Sequence, residues 1–120
     1  MGIHFDKALG IHPEALKLRA ERTKVLASNI ANESTPGYQA RDLDFKATLA
    51  GFASDGDGFP AGLSAGEALY RVPYHPSRDG NTVELGVEQA EFAQNASEFQ
   101  TSLTFLNMKY QGLAKVIAGQ

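Results

Sequence analysis

Residues 28–38 read Ser-Asn-Ile-Ala-Asn-Glu-Ser-Thr-Pro-Gly-Tyr, and this stretch ends one helix and opens a defined turn. Asn32 can end a helix in the left-handed conformation, and Pro36 keeps Thr35 out of the helical region. Proline followed by glycine suits the two central positions of a type II turn, where the positive φ of glycine costs little. Tyr38 leaves the turn with a large side chain that is available to dock. On physical grounds alone, the stretch predicts a structural corner.

Upstream of the corner, the stretch from Asp6 to Asn32 predicts a helix, because leucine, isoleucine and alanine side chains share one broad face. Pro13 interrupts this pattern. Two interpretations are open: the helix kinks at Pro13, or it restarts with His12 near its cap and Pro13 in its first turn.

Downstream of the corner, regularity is lost from Glu33 to Gly86. Residues 55–58 and 62–66 are rich in glycine, and we expect them to form a mobile connection. A short extended strand is predicted at Leu69–Val72, and the two prolines that follow prevent long sheet pairing. Residues 79–81, Asp-Gly-Asn, supply a turn. The middle of the chain is therefore expected to be irregular, with at most a short β element.

The predicted C-terminal helix, residues 87–118, carries the most regular pattern in the chain. One apolar set recurs every seven residues, and a second set follows the same step displaced by four. The first set is Phe92, Phe99, Leu106 and Leu113, and the second is Ala96, Leu103, Tyr110 and Ile117. A repeat of 3.5 residues favours left-handed supercoiling against other helices. Gly86 could cap this helix, with Gln89 as a weak capping-box partner. Because the stripe is longer than the first helix can cover, we expect part of it to pack between molecules.

The charge distribution supports pairing of the two helices. Four cations make the first helix locally basic, whereas no lysine or arginine occurs between Asp79 and Met108. The cations are Lys17, Arg19, Arg22 and Lys24, and the acidic residues of the later stretch are Asp79, Glu84, Glu88, Glu91 and Glu98. Surface pairs contribute only about 0–1 kcal/mol each. The pattern is therefore compatible with two interpretations. Either the charged faces of the two helices are simply solvated, or their charges fix the register between helices of different molecules.

Size and composition limit the functions that are open to the chain. Its 120 residues have room for one domain at most, spanning residues 1–120. The formal net charge of −3 argues against nucleic acid as the main partner, since that usually demands a basic face. Residues 1–10 lack the pattern of a signal peptide, and no run of eighteen apolar residues occurs. We therefore expect neither a cleaved leader nor a direct membrane span.

Catalytic and metal chemistry find little support in the sequence. Without cysteine, a thiolate nucleophile or a cysteine-ligated zinc site is impossible. The three histidines are scattered and no pair has the i, i+4 spacing of a helical metal site, so we expect no metal and no cofactor. Asp42 and Asp44 alternate with Leu43 and Phe45, which favours a solvated edge beside an apolar anchor over an acid/base couple. A small hydrolase that uses Asp42 and His75 is the catalytic alternative, but we expect no catalytic residue and no enzyme.

The corner closely resembles the signature of flagellar rod, hook and hook-filament junction proteins. In those proteins a hydrophobic N-terminal helix ends in Asn-x-Ala-Asn-x-x-Thr-Pro-Gly-Tyr, which residues 29–38 match without a mismatch. The resemblance assigns an assembly motif to Asn29, Ala31, Asn32, Thr35, Pro36, Gly37 and Tyr38. Residues 39–45 and 79–85 are most similar to the small proximal rod members of this family. Gly86 departs from the pattern, because such proteins often carry an acidic cap there, and Pro13 is a second departure.

The resemblance implies both an architecture and a role. The terminal helices would associate as a coiled-coil core within and between subunits, and the chain would be a structural subunit of the proximal rod that transmits torque. Its partners would be copies of itself, other flagellar rod proteins, the junction protein between membrane ring and rod, and the export gate. It would reach the periplasmic rod of the basal body through the flagellar type III export apparatus. The alternative is a helical cytoplasmic adaptor or chaperone for flagellar export substrates.

Overall fold

The computed structural model describes residues 9–54 and 68–119, and in that part of the chain it shows three helices and a two-stranded sheet. In chain order the elements are α1 (His12–Ala31), β1 (Arg41–Leu43), α2 (Phe45–Ser54), β2 (Ala68–Tyr70) and α3 (Leu85–Ile117). The predicted fold class, mainly α with two long terminal helices and a short β element, is confirmed. The connection predicted to be mobile, at residues 55–58 and 62–66, lies outside the described residues.

The helix α1 begins later than the sequence pattern indicates. Gly10 has a φ of +63° and forms a turn with Ile11, so the predicted N-terminal helix is interrupted before His12. Pro13 lies in the first turn of α1, where its missing N–H would have no helical partner in any case. Of the two interpretations of Pro13, the structure shows the restart at His12. Residues 6–8 of the predicted helix lie outside the described part of the chain.

The helices α1 and α3 pack side by side in opposite directions and form the core. His12 at the start of α1 lies against Phe105, with ring centroids 6.3 Å apart. Asn29 near the end of α1 hydrogen-bonds to Glu88 in the first turns of α3, so the pair is antiparallel. The buried apolar side chains are Leu9, Ala15, Leu18, Leu26, Ala40, Leu43 and Leu106. Several of them follow the three- and four-residue spacing that places side chains on one helix face.

The middle segment forms a small sheet that lies beside α1. β1 pairs with β2 in antiparallel register, with Arg41 opposite Tyr70 and Leu43 opposite Ala68. β2 therefore begins one residue before the strand predicted at Leu69–Val72 and ends two residues before the predicted end.

The middle segment also contains α2, so the expectation that it is irregular is wrong for Phe45–Ser54. Asp44 caps this helix, because its Oδ1 accepts the N–H of Ala47 at 3.1 Å. Its backbone oxygen accepts the N–H of Thr48 at 3.0 Å and the Thr48 hydroxyl at 2.7 Å. The signal was present in the sequence, since aspartate before an apolar run is a common N-cap.

The start of α3 also differs from the prediction. The helix begins at Leu85 with Glu84 at the N-cap, whereas the predicted start is residue 87. Gly86 is thus inside the first turn, and the capping box with Gln89 does not form. The Glu84 side chain makes no cap bond to the helix. Its Oε1 instead accepts the backbone N–H of His75 at 2.9 Å, which ties the preceding loop to the start of α3.

The two predicted apolar sets of α3 lie side by side on one broad face, and the first set is the more buried of the two. Asn95 hydrogen-bonds to Thr23 of α1 and therefore marks the side toward α1, and Phe92 and Phe99 flank Asn95 at helical spacing. Leu106 continues the face and is buried, while Phe92, Phe99 and Leu113 are half-buried. In the second set Leu103 is half-buried, and the exposed members are Ala96, Tyr110 and Ile117.

The molecule is long and thin, measuring 64 × 28 × 18 Å. α3 has 33 residues and α1 has 20. At 1.5 Å per residue α3 extends roughly 50 Å, so it is longer than α1. Within residues 9–54 and 68–119, no helix is long and apolar enough to cross a membrane.

Candidate assembly site

Pro36 and Gly37 form the predicted type II turn. The Tyr38 N–H donates to the Thr35 carbonyl at 3.2 Å, and Gly37 has a φ of +74°, as the third residue of this turn requires. A Cβ atom on Gly37 would meet nothing within 4 Å. The positive φ, and not a lack of space for a side chain, is therefore the reason that this position requires glycine. Asn32 does not adopt the predicted left-handed conformation, because its φ is −105°. Gly37 supplies the positive φ instead.

Side chains of the motif close the C-terminus of α1. Asn32 Nδ2 donates to the carbonyl of Ser28 at 2.8 Å, and the Thr35 hydroxyl donates to Asn32 Oδ1 at 3.1 Å. The last carbonyls of a helix have no partner within the helix. The Asn32 side chain therefore adds to the backbone cap, in which the N–H groups of Asn32 and Glu33 donate to carbonyls of the last turn, and Thr35 holds that side chain in place.

Asn81 fastens the corner to the segment that precedes α3. Its Nδ2 lies 2.9 Å from the carbonyl oxygen of Asn32, 2.8 Å from that of Glu33 and 2.8 Å from that of Thr35. Its Oδ1 accepts the N–H of Val83 at 2.7 Å. The side chain is only 6% exposed. One amide thus joins the end of α1 to the start of α3.

Backbone bonds complete this junction. The Gly37 N–H donates to the Asp79 carbonyl at 3.0 Å, and the Thr82 N–H donates to the Tyr38 carbonyl at 2.9 Å. The Ala40 N–H donates to the Thr82 hydroxyl at 2.8 Å. The two segments that resemble the rod family, residues 29–45 and 79–85, are therefore one structural unit.

Asn29 covers the outer edge of β1 as a neighbouring strand would. The Arg41 N–H donates to Asn29 Oδ1 at 3.1 Å, and Asn29 Nδ2 donates to the Arg41 carbonyl at 2.6 Å. The Tyr38 hydroxyl donates to the same Oδ1 at 3.3 Å and lies 3.1 Å from Ser28 Oγ. Tyr38 therefore packs back on α1 through its hydroxyl, whereas sequence reasoning assigned it only a docking role. The other motif members, Ala31 and Pro36, are exposed.

A cluster of five charged side chains binds the sheet to the helix pair, and we call it the charged clasp. Its members are Arg22, Asp42, Arg71, Glu88 and Glu91. Arg22 makes two hydrogen bonds to the Asp42 carboxylate, at 2.9 and 3.0 Å, and a third to Glu91 at 2.6 Å. Arg71 donates to Asp42 at 2.6 Å and approaches Glu88 to 3.3 Å. The clasp therefore links α1, β1, β2 and α3.

The environment of the clasp shifts the pKa values of two of its members. Burial raises the pKa of Glu88, and the carboxylates of Asp42 and Glu91 add to the rise, although the Asn29 hydrogen bond and Arg71 oppose it. The hydrogen bond to Asp42 is the main cause that raises the pKa of Arg22. With three carboxylates facing two guanidiniums, the clasp carries one excess negative charge when all its members are ionised.

Charges further along the helix pair are also matched within the chain. Arg19 bonds to Glu98, and its guanidinium lies 3.9 Å from the centroid of the Phe45 ring. Burial favours a higher pKa for Glu98, but hydrogen bonds from Gln94 and Arg19 outweigh it and lower the pKa. Arg22–Glu91 and Arg19–Glu98 thus show that basic α1 and acidic α3 recognise each other inside one molecule.

The sequence patterns missed the polar side chains that hold the site together. Asn81, Arg71, Glu88 and Asn95 are mostly or wholly buried and hydrogen-bonded or ion-paired across elements. Glu88 and Asn95 are seven residues apart, on the face of α3 that packs against α1. A polar residue at a heptad position in an apolar stripe is the signal that could have identified both.

Neither residue of the catalytic alternative is arranged for acid/base chemistry. The Asp42 carboxylate is occupied by Arg22 and Arg71, and the His75 backbone is held by Glu84 at an exposed position. Among residues 9–54 and 68–119, no group of three His, Cys, Asp or Glu side chains could hold a metal ion. Leu43 is buried as the expected apolar anchor, but the expected solvated edge is wrong for Asp42, because its carboxylate is bonded to two arginines and its side chain is only 21% exposed.

Fold and site together define an elongated protein in which two antiparallel terminal helices are tied together at a Thr-Pro-Gly-Tyr corner. A family profile described as "Flagella basal body rod protein" matches residues 9–39. The chain is 50% identical to the "Flagellar basal body rod protein FlgB" of Cereibacter sphaeroides, over 97% of this chain and 98% of that relative. It is 40% identical to the protein of the same name from Salmonella typhimurium strain LT2, over 95% of both chains. The FlgB protein of Escherichia coli strain K12 is 39% identical, over 93% of this chain and 94% of the relative.

These similarities extend over almost the whole length of this chain and of each relative, including α3 and the corner. The chain belongs to the FlgB family of flagellar basal body rod proteins.

Proposed function

We propose that this chain is a structural subunit of the proximal rod of the bacterial flagellar basal body, and that it assembles helically through its terminal helices and transmits torque. Its relatives carry the name of basal body rod proteins. The proposed partners are copies of itself, other rod proteins, the junction protein between membrane ring and rod, and the export gate. The proposed location is the periplasmic rod, reached through the flagellar type III export apparatus.

The uncovered apolar line on α3 is the observation that carries this proposal. Phe92, Phe99 and Leu106 face α1, and the second set lies beside them on the same broad face, at the edge of the contact. Tyr110 is 48% exposed and Ile117 is 65% exposed. Burying apolar surface contributes about 25 cal/mol per Å², so a line of this length favours contact with helices of neighbouring subunits.

The junction at the corner suits a subunit that must carry load. Asn81 and the charged clasp hold the two helices at several points, so that a force on one helix passes to the other through hydrogen bonds and ion pairs. No catalytic role is proposed, because the polar side chains of the site are engaged in structural bonds with one another.

The test places a charge on the uncovered line without disturbing the helix pair. Tyr110→Asp should leave the isolated chain folded, because the side chain is half exposed, but it should abolish swimming, because a carboxylate in an apolar contact costs several kcal/mol. Thr101→Asp, at an exposed position outside the apolar set, is the matched control and should preserve motility. Both variants would replace the chromosomal copy in the source bacterium.

Isolated basal bodies decide between a rod subunit and a cytoplasmic adaptor. A rod subunit should be present in purified basal bodies of the Thr101→Asp strain and absent from those of the Tyr110→Asp strain. Basal bodies that lack the protein in both strains, while rods are complete, would favour the adaptor.

A further inference from the structure

The two ends of α3 differ in charge and shape. The acidic end lies at the start of the helix and comprises Tyr74, Glu84 and the open cavity of about 480 Å³ beside them. The basic end lies in the last turns and comprises Phe105, Met108, Lys109, Lys115 and Val116. Since α3 accounts for most of the 64 Å length of the molecule, these two surfaces lie at opposite ends.

Charge at the two ends is complementary. Residues 99–119 contain no aspartate or glutamate, and their only charged side chains are Lys109 and Lys115. The acidic end and the adjoining corner expose Glu33, Asp79 and one cation, Arg78, and they also contain the half-buried Glu84. The acidic side chains between the ends, Glu91 and Glu98, are already paired with arginines of α1. Within residues 9–54 and 68–119, the two ends of α3 therefore carry charge of opposite sign.

The apolar shapes are complementary as well. At the basic end an open groove of about 530 Å³ is lined by Phe105, Met108, Val116 and other residues, with Gly112 in its floor. No atom lies within 4 Å of where a Cβ of Gly112 would stand. At the acidic end Tyr74 is 78% exposed. Methionine adapts its shape readily to an aromatic ring, so the groove suits a ring such as that of Tyr74.

We propose that copies of this chain associate head to tail, with Tyr74 at the acidic end of one copy seated in the groove at the basic end of the next. This inference deepens the proposed function, because it names one contact of the helical assembly and the two surfaces that make it. Each copy presents both surfaces, so the contact does not close on itself and allows a chain of subunits to grow. The contact uses a different face of α3 from the line of Tyr110 and Ile117.

The first measurement is sedimentation equilibrium of the purified full chain over a range of concentrations. We expect the average mass to rise continuously without a plateau at the dimer. We also expect association to weaken when sodium chloride is raised from about 50 to about 500 mM, because salt screens exposed charges. A chain that stays monomeric throughout, or one whose association does not respond to salt, would overturn the proposal.

Two variants that each block one end make the test specific. The basic-end variant is Lys109→Glu with Lys115→Glu, and the acidic-end variant is Tyr74→Ser. Each alone should lose about tenfold or more in association constant, as expected when a central aromatic or charged contact is removed. Because all three positions lie on the surface, circular dichroism and the urea midpoint should be unchanged. Arg78→Ser, an exposed change beside the acidic end that removes a cation, is the control and should not weaken association.

Mixing the two variants distinguishes a head-to-tail contact from a symmetric one. The acidic-end variant keeps an intact groove and the basic-end variant keeps an intact Tyr74, so the mixture should form a complex that stops at one copy of each. A symmetric dimer through either end would not be restored in this way, and that result would refute the proposal. If the wild-type chain is monomeric in solution but present in basal bodies, this inference fails while the proposed function stands.

Discussion

Two buried amide side chains, those of Asn29 and Asn81, satisfy backbone groups that neither helix nor sheet can reach. Asn29 hydrogen-bonds to the backbone N–H and carbonyl of Arg41. The Asn81 amide nitrogen donates to three carbonyl oxygens at the end of α1. A buried carbonyl without a donor costs about 1–3 kcal/mol. The Thr-Pro-Gly-Tyr motif therefore acts at the residue scale mainly by shaping the backbone that these amides bind.

Asn81→Asp tests this dependence on a side chain of nearly unchanged shape. The carboxylate keeps the acceptor for Val83 but removes the donor, and it faces three carbonyl oxygens. We expect the free energy of unfolding to fall by about 2–4 kcal/mol, because these acceptors lose their partner and a charge is buried among them. Asn107→Asp makes the same chemical change at an exposed position of α3 and should cost less than about 0.5 kcal/mol. Similar urea midpoints for the two variants would show that Asn81 does not hold the corner.

At the scale of elements, buried charge sets how the sheet meets the helices. Glu88 is fully buried between Asn29 of α1 and Arg71, the residue that follows β2. Removing one partner of such a cluster leaves an uncompensated charge, which is more costly than removing the whole cluster. The clasp therefore favours one arrangement of sheet and helices over others that would separate its members.

The pH dependence of stability reports on Glu88. Its folded-state pKa is raised, chiefly by burial, so its contribution is most favourable below the ordinary pKa of glutamate, about 4.3. That contribution is lost as pH rises through the raised pKa. Glu88→Gln removes this titration while keeping an acceptor for Asn29. From about pH 4 to pH 8, wild type should therefore lose stability relative to Glu88→Gln, as measured by urea unfolding at each pH. A relative gain for wild type with rising pH would contradict the assigned shift.

At the scale of the whole molecule, periodicity and turn chemistry predicted the parts of the fold that depend on local sequence. The heptad repeat predicted α3, and Pro36-Gly37 predicted a type II turn with the correct residue at positive φ. Local patterns could not show which apolar set packs more closely against α1, because both sets repeat with the same period. The orientation is instead set by Asn95, Glu88 and the arginines of α1, whose partners lie more than fifty residues away in the chain. α2 was missed although Asp44 marked its start.

The unequal lengths of α1 and α3 make a prediction about the isolated chain. Residues 88–106 of α3 pack along α1, with Leu106 and Asn95 buried and Arg19 and Arg22 bonded across the interface. Residues 110–117 extend past His12 and include Tyr110, Val116 and Ile117, which are between 48% and 74% exposed. A helix whose apolar side chains remain in water is only marginally stable. We therefore expect residues 110–117 to exchange their amide hydrogens rapidly in dilute monomer, and residues 88–106 to be protected.

Hydrogen exchange followed by mass spectrometry at low and high protein concentration measures this difference. If the uncovered end of α3 is ordered by neighbouring copies, protection of residues 110–117 should increase with concentration, since association stabilises only the folded end. Residues 12–31, which α3 already covers, serve as the internal control and should exchange at the same rate at both concentrations. Equal and strong protection along the whole of α3 in dilute solution would mean that one chain suffices to stabilise the helix. The uncovered apolar line would then no longer require a neighbouring subunit to explain its stability.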